Sequence, residues 1–168
     1  MQPWTPNLDW ITPELAVGGS FPTERAEHLA RELGVGAVVD LRAEACDDEE
    51  VLRRHGLVFL HLPTLDMHAV SPAMLAAGVD FCRTQLGAGR KLLIHCEHGI
   101  GRSALLALCV LVDAGMAPLE ALELAKARRA LVSPSMAQYE AWSAWLLDRG
   151  IEPPGFEAFA AVAYRHLR

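Results

Sequence analysis

Positive charge is in deficit in this chain: 15 lysines and arginines stand against 21 aspartates and glutamates, a formal net charge of −6. That balance argues against a nonspecific nucleic-acid binder, which needs a basic footprint. Cysteine is scarce too. Cys46, Cys82, Cys96 and Cys109 show neither the paired spacing of a disulfide framework nor the second Cys/His pair that a zinc site requires. Long apolar runs are absent: the longest, Ala104 to Val112, is far too short to cross a bilayer. The Met1-Gln2-Pro3-Trp4 start lacks a positive region followed by an apolar one, so no signal peptide is expected. Repeats, low-complexity tracts and interdomain linkers are missing as well.

What is plentiful is apolar surface. With 52% hydrophobic and 21% charged residues over 168 positions, the composition is that of a globular protein able to bury a sizeable core. We expect one domain over residues 1–168. Leu8 to Ile11 and Glu14 to Val17 read as an edge hairpin around Thr12-Pro13, and Gly18-Gly19 breaks the chain. Thr23 to Leu33 reads as a helix whose Ala26, Leu29, Ala30 and Leu33 share one face. Gly36 to Leu41 is a strand apolar enough to be buried on both sides. A short acidic-start helix, Asp47 to His55, precedes a strand from Leu57 to Leu62 that Pro63 should halt. Ser71-Pro72 opens a helix as N-cap and first position, and Lys91 to Ile94 is the next strand. The second half reads as four helices: Ser103 to Ala114, Pro118 to Leu131, Pro134 to Leu147 and Phe156 to Leu167. Strands alternating with helices predict an α/β fold with a mostly parallel central sheet of about five strands flanked by helices.

The chemistry concentrates in His95-Cys96-Glu97-His98-Gly99-Ile100-Gly101-Arg102-Ser103, between the Lys91 strand and the Ser103 helix. Backbone N–H groups at such a strand-to-helix turn converge on one space and, with the helix dipole behind them, bind oxyanions and favour thiolate over thiol. A free thiol near pKa ~8.5 falls to roughly 3.5–7.5 in such surroundings. Gly99 and Gly101 let the backbone approach a ligand, Arg102 offers a planar fork to two phosphate oxygens, and the Ser103 hydroxyl can donate to the Cys96 sulfur. The positions Glu97, His98 and Ile100 complete the cradle.

This string, HCxxGxGRS between a strand and a helix, resembles the signature loop of the cysteine-dependent protein tyrosine phosphatase superfamily. Over nearly its whole length the chain is similar to the compact dual-specificity branch. The resemblance implies a phosphomonoester hydrolase acting through a cysteinyl-phosphate intermediate, without metal or other cofactor, on phosphotyrosine and on phosphoserine or phosphothreonine of proteins. It also implies a general acid on a loop ahead of the nucleophile. Asp66, in the loop Pro63 to Pro72, fits that place, with Asp40 as its rival. Gln138 stands where relatives carry a glutamine near the cleft, able to position water. His95 is expected to orient the loop, and Cys82 and Cys109 to be core residues.

Other readings remain open at this stage. A rhodanese-like sulfur transferase, a metal site built on His95, Cys96 and His98, and a non-catalytic phosphate-binding module each account for part of the string. A lipid, sugar or nucleotide monophosphate is the alternative substrate, and Glu97 with no neighbouring lysine disfavours a polyanionic headgroup. Lys126, Arg128 and Arg129 form either a basic rim or a solvated helix face. A catalytic thiol calls for a reducing compartment, so a cytoplasmic monomer, neither inserted in membrane nor bound to nucleic acid, is expected.

Overall fold

The unbroken apolar strands are explained by a sheet that is covered on both faces. The computed structural model describes residues 3–167. Its five strands are β1 (Leu8–Thr12), β2 (Leu15–Gly18), β3 (Val35–Arg42), β4 (Val58–Thr64) and β5 (Lys91–His95), in lateral order β1-β2-β5-β3-β4. Only the β1–β2 hairpin is antiparallel. Side chains alternate along each strand, except across the irregularity of β3 between Val35 and Ala37. Leu15, Val17, Ala37, Val39, Leu41, Leu92 and Ile94 enter the larger core, whereas Ala16, Val35, Val38 and Leu93 enter a smaller one on the opposite face.

Helices α1 (Ala26–Arg31) and α2 (Glu49–Arg54) close the smaller core through Ala26, Leu29 and Leu52. The larger core is covered by α3 (Pro72–Gly87), α4 (Arg102–Asp113), α5 (Pro118–Arg128), α6 (Met136–Asp148) and α7 (Phe156–Ala163). Every residue of α4 from Arg102 to Val112 is buried, as expected of a helix that is apolar all round. It packs on β2, β3 and β5 and against α3, α5 and α6. Its N-terminus therefore meets the carboxyl end of β5, the middle strand, where open α/β sheets bind ligands.

Several boundaries differ from expectation, each for a local reason. The Thr23 to Leu33 segment begins as a 3-10 turn, Thr23–Arg25, and its α-helix ends at Arg31. Pro63 does not halt β4, because β4 is an edge strand and the exposed proline needs no ladder partner there. Helix α5 stops at Arg128, since Arg129 turns into an extended conformation. Helix α6 starts at Met136 rather than Pro134. There a capping box has Ser135 Oγ accept from the Gln138 amide while the Gln138 side chain accepts from the Ser135 amide at 2.8 Å. The last segment ends at Ala163 and passes into a 3-10 turn.

Lys126 is buried instead of solvated. Its ammonium donates to the carbonyls of Val132 and Ala163 and to His166 Nδ1, each at 2.7 Å, and so ties the carboxyl-terminal segment to the connector after α5. No helix among the described residues is long and apolar enough to cross a membrane.

Helices α3 and α4 touch where Gly78 faces Leu106. A Cβ built on Gly78 would lie 2.9 Å from Leu106 Cδ1 and 3.0 Å from Leu62 Cδ1. Gly78→Val should destabilise by about 1–3 kcal/mol through overpacking, and Leu106→Ala by about 2–5 kcal/mol through the cavity it leaves. In urea denaturation the double variant should lose less than the sum of the two, because the valine fills part of that cavity.

Candidate active site

The loop between β5 and α4 is held by its carbonyls. Six consecutive ones are claimed from outside: Cys96 O by the His95 ring at 3.0 Å, Glu97 O by the Ser20 amide at 2.9 Å, His98 O by Arg129 Nη2 at 2.9 Å, Gly99 O by Arg129 Nε at 2.8 Å, Ile100 O by the Ser133 amide at 2.9 Å, and Gly101 O by the Leu105 amide at 2.9 Å. With the carbonyls pulled outward, the N–H groups point inward. The Gly99 amide donates to Cys96 Sγ at 3.3 Å, while the amides of Glu97, His98, Ile100 and Gly101 find no protein acceptor among the described residues. This is an anion nest centred on a sulfur.

Close packing accompanies that geometry. Gly99 has φ +70°, and a Cβ there would stand 2.5 Å from the Gly18 carbonyl carbon. A Cβ on Gly19 would stand 2.7 Å from Glu97 O, so the glycine pair after β2 is the seat of the loop as well as a break in the chain. Gly101 faces the amide of Gln138, whose Nε2 donates to His68 O at 3.2 Å.

Cys96 is buried, with the Ser103 hydroxyl 3.3 Å from its sulfur. Burial pushes the thiol pKa up. Hydrogen bonds from the Ser103 side chain and backbone, the Gly99 amide and the charge of Arg102 outweigh it and leave the pKa below the ordinary value. Arg102 is only 1% exposed. Its Nη1 donates to Glu44 Oε1 and Thr64 O, both at 2.7 Å, and its Nη2 donates to Glu44 Oε2 at 2.9 Å. Its Nε is a buried donor with no partner. The Arg102 hydrogen bonds hold the Glu44 carboxyl down at about 2.

Asp66 lies beside this group, its Oδ1 3.6 Å from Arg102 Nη2, with an exposed carboxylate. Its loop is clipped to the start of α6, where Ser135 Oγ donates to Met67 O at 2.8 Å and Gln138 donates to His68 O. Met67 has φ +67°, a strained value for a side chain of its size. Asp40 is excluded as the acid: it is fully buried and binds Arg42 through both oxygens at 3.0 Å. A small cavity of about 90 Å³, lined by Asp66, Met67, Cys96, Ile100 and Gln138 among others, joins these parts.

Behind the loop lies a buried charge network that spacing alone does not reveal. Arg42 binds Asp40, Asp47 at 3.1 Å and Glu97 at 3.1 Å, and Glu97 also accepts from Ser20 Oγ at 3.0 Å. Burial opposes ionisation of Glu97, but Arg42 and Ser20 win and lower its pKa. The His95 ring stands between Asp47 Oδ2 and the Cys96 carbonyl, two acceptors that favour the doubly protonated ring. Burial lowers the His95 pKa, yet the Asp47 hydrogen bond and the charges of Asp47 and Asp40 raise it overall. Asp40, Asp47 and His95 lie close enough to share an ion, but Arg42 and the His95 ring already consume the carboxylate oxygens.

The structure thus gathers Cys96, Arg102, Ser103, Asp66, Gln138 and the 97–101 backbone at one place. It turns the Glu97 carboxylate toward Arg42. Lys126 and Arg129 are structural, and Arg128 alone of that trio is exposed. Glu44 and Asp47 escaped sequence reading, and Arg129, read as part of a basic rim or a solvated face, instead fastens the loop; the one available signal was that Glu44 and Asp47 follow the carboxyl end of a buried strand.

Two measurements probe this geometry. Alkylation by iodoacetamide, followed by mass spectrometry across pH, should modify Cys96 well before Cys82, whose burial raises its pKa to about 12, and before Cys46 and Cys109, which are also raised. Ser103→Ala and Arg129→Met should each move the Cys96 midpoint up by about one pH unit, the scale of one hydrogen bond to a charge, and Arg128→Met should not. The second concerns stability. Because the folded His95 pKa exceeds its ordinary 6.5, the stabilisation it contributes is complete below pH 6.5 and is lost as pH rises through the folded value. The stability difference between the wild type and Asp47→Asn should therefore be largest on the acid side of this window and shrink as pH rises.

Comparison with known proteins agrees with this geometry. Residues 5–147 match the family model described as PTP-SAK: Swiss Army Knife protein, DSP-PTPase phosphatase domain. Dual specificity protein phosphatase 1 of Homo sapiens is 28% identical over 129 residues, which cover 76% of this chain and 34% of that protein. Phosphatidylglycerophosphate phosphatase PTPMT2 of Arabidopsis thaliana is 27% identical over 113 residues, 66% of this chain and 48% of that one. This chain thus spans about a third of the human relative and about half of the plant one. The crystal structure of Tk-PTP in the active form superposes with a TM-score of 0.76 at 25% identity, covering 83% of this chain and 96% of that chain.

Proposed function

Since the chain belongs to the Swiss Army Knife family of DSP-PTPase phosphatase domains, we propose that it hydrolyses phosphomonoesters on proteins, at tyrosine and at serine or threonine, through a phosphorylated Cys96. The observation that carries this reading is the nest of inward N–H groups around Cys96 Sγ, completed by the unpartnered Nε of Arg102. A tetrahedral dianion fits there because donors are in place before it arrives.

The Cys96 thiolate attacks phosphorus while the loop amides and Arg102 hold the equatorial oxygens. Glu44 and Thr64 O fix the Arg102 plane and leave Nε as the donor free for the substrate. Asp66 delivers a proton to the departing oxygen. Water then attacks the thiophosphate, with Asp66 taking its proton and Gln138 orienting it. Ser103 donates to the leaving sulfur.

The small cavity at the mouth suits short phosphoserine and phosphothreonine side chains as well as phosphotyrosine. Three carboxylates, Asp40, Asp47 and Glu97, against the cations Arg42 and His95 leave the loop's flank negative, which favours a single phosphate over a multiply phosphorylated headgroup. A phospholipid monophosphate is the second reading, favoured by the exposed Met67 and Ile100 at the mouth and by the likeness to PTPMT2. We place the reaction in a single catalytic domain, residues 1–168, working as a monomer in a reducing cytoplasm, with no metal in the mechanism.

A leaving-group series tests this scheme. Cys96→Ser should abolish hydrolysis, and rapid quench of the wild type should trap phosphate on Cys96. Asp66→Ala should lose on the order of 10²–10⁴-fold on phenyl phosphate and much less on the ester of a strongly acidic phenol. Equal losses on both esters would reject Asp66 as the acid, and full activity in Cys96→Ser would reject the intermediate.

A further inference from the structure

Immediately past the acid loop the surface opens into a second and larger concavity. It runs between α3 and α6, holds about 580 Å³, and has Val70, Leu75 and Trp145 as its floor. That volume lies in the roughly 300–1,000 Å³ range of ligand clefts. Its near end is Ala69, the residue after His68, and its far wall is the face of α6 that carries Ala137, Ala141 and Ala144. Gln138, on the same helix, faces the catalytic cavity instead. Short side chains on both helices keep the cleft open over an apolar floor.

The rim is acidic. Asp80, Glu140 and Asp148 border it, with Arg149 as its only base. Arg149 is already engaged: it donates to Asp113 at 2.8 Å and stacks over the Trp145 ring at 4.1 Å. Asp80 shares Arg83 at 3.0 Å, whereas Glu140 and Asp148 have no cationic partner among the described residues. An occupant that satisfies both floor and rim must be apolar and cationic at once. An anionic lipid surface meets this rim with like charge, and a neutral apolar ligand leaves the carboxylates unmatched.

We propose that this cleft docks a segment of the phosphoprotein substrate that combines an apolar anchor with neighbouring lysine or arginine. The proposal rests on the protein-phosphatase reading above. The phosphorylated residue occupies the Cys96 nest, the chain crosses the acid loop near Met67, and the flanking segment lies between α3 and α6.

The test compares an aryl phosphate, too small to reach the cleft, with phosphotyrosyl peptides sharing one phosphosite. One set bears an apolar residue flanked by lysines at varied spacing on either side; the other bears the same apolar residue flanked by glutamates. The wild type should favour the basic set by roughly tenfold in kcat/KM, mostly through KM, as expected for one buried anchor with matched charge. Ala144→Phe, which fills the cleft, and the double change Glu140→Lys with Asp148→Lys, which reverses its rim, should each erase that preference and leave aryl phosphate hydrolysis unchanged. Fluorescence anisotropy of the unphosphorylated basic segment on Cys96→Ser gives a readout independent of chemistry. Binding should appear there and vanish in the cleft variants. Equal use of both peptide sets, survival of the preference in both cleft variants, or a preference for phospholipid monophosphates in anionic vesicles over every peptide would overturn the docking proposal. Loss of aryl phosphate hydrolysis alone would instead strike the phosphatase reading, and the anisotropy result would still decide the cleft.

Discussion

The structure depends on where six carbonyl oxygens point. A chain segment bent around an anion site must aim its N–H groups at one centre, and nothing in the segment's own backbone enforces this once no ligand is bound. Here the opposite side of each peptide unit is fastened, from Cys96 to Gly101, by three outside residues, Ser20, Arg129 and Ser133, besides the loop's own helix and histidine. Preorganisation of that kind matters because a site that reorganises during reaction loses the advantage of fixed dipoles. Arg129 is the most economical of the fasteners, since one guanidinium takes two adjacent carbonyls and reaches Asp9 and Asn7 at 2.9 Å each.

Charge is arranged in two layers around this scaffold. Close to the sulfur lies Arg102, whose carboxylate partner Glu44 is partly open to solvent, so its cationic fork keeps one buried donor unclaimed. Farther back lie Arg42, Asp40, Asp47, Glu97 and the protonated His95, which largely neutralise one another. The rear layer is mechanical in effect. It fixes the end of β3, the following loop and the start of the catalytic loop as one unit, and buried ion pairs of this sort are held strongly by geometry even when their net contribution to stability is modest.

What the sequence made legible was local. The strand, the turn and the buried helix around Cys96 are contiguous, so apolar patterning and the HCEHGIGRS string were enough to place nucleophile, arginine and hydroxyl together, and the alternation of strands and helices was enough for the sheet. The position of Asp66 beside Arg102 was readable because its loop leaves a strand. The fasteners were not, since Ser20, Arg129 and Ser133 carry ordinary residue types whose roles arise only when distant segments meet. The same cause misled the reading of α5. Its basic end looked like a continuing helical face, but Arg129 leaves the helix to serve the loop. Pro63 showed the limit of propensity, because a proline stops a strand only where its missing donor is needed.

Arg129, which holds two carbonyls of the loop, is itself bound to Asp9 on the outermost strand of the sheet. Edge strands open more readily than central ones, and local opening costs less than global unfolding. The shape of the loop around Cys96 is therefore vested partly in one of the sheet's edge strands. A fluctuation that lifts β1 frees Arg129 from two of its four acceptors while the parallel strands and the helices over the main core stay assembled. Catalytic competence and foldedness are then distinct properties of this chain, the first resting on a smaller and more fragile set of contacts than the second.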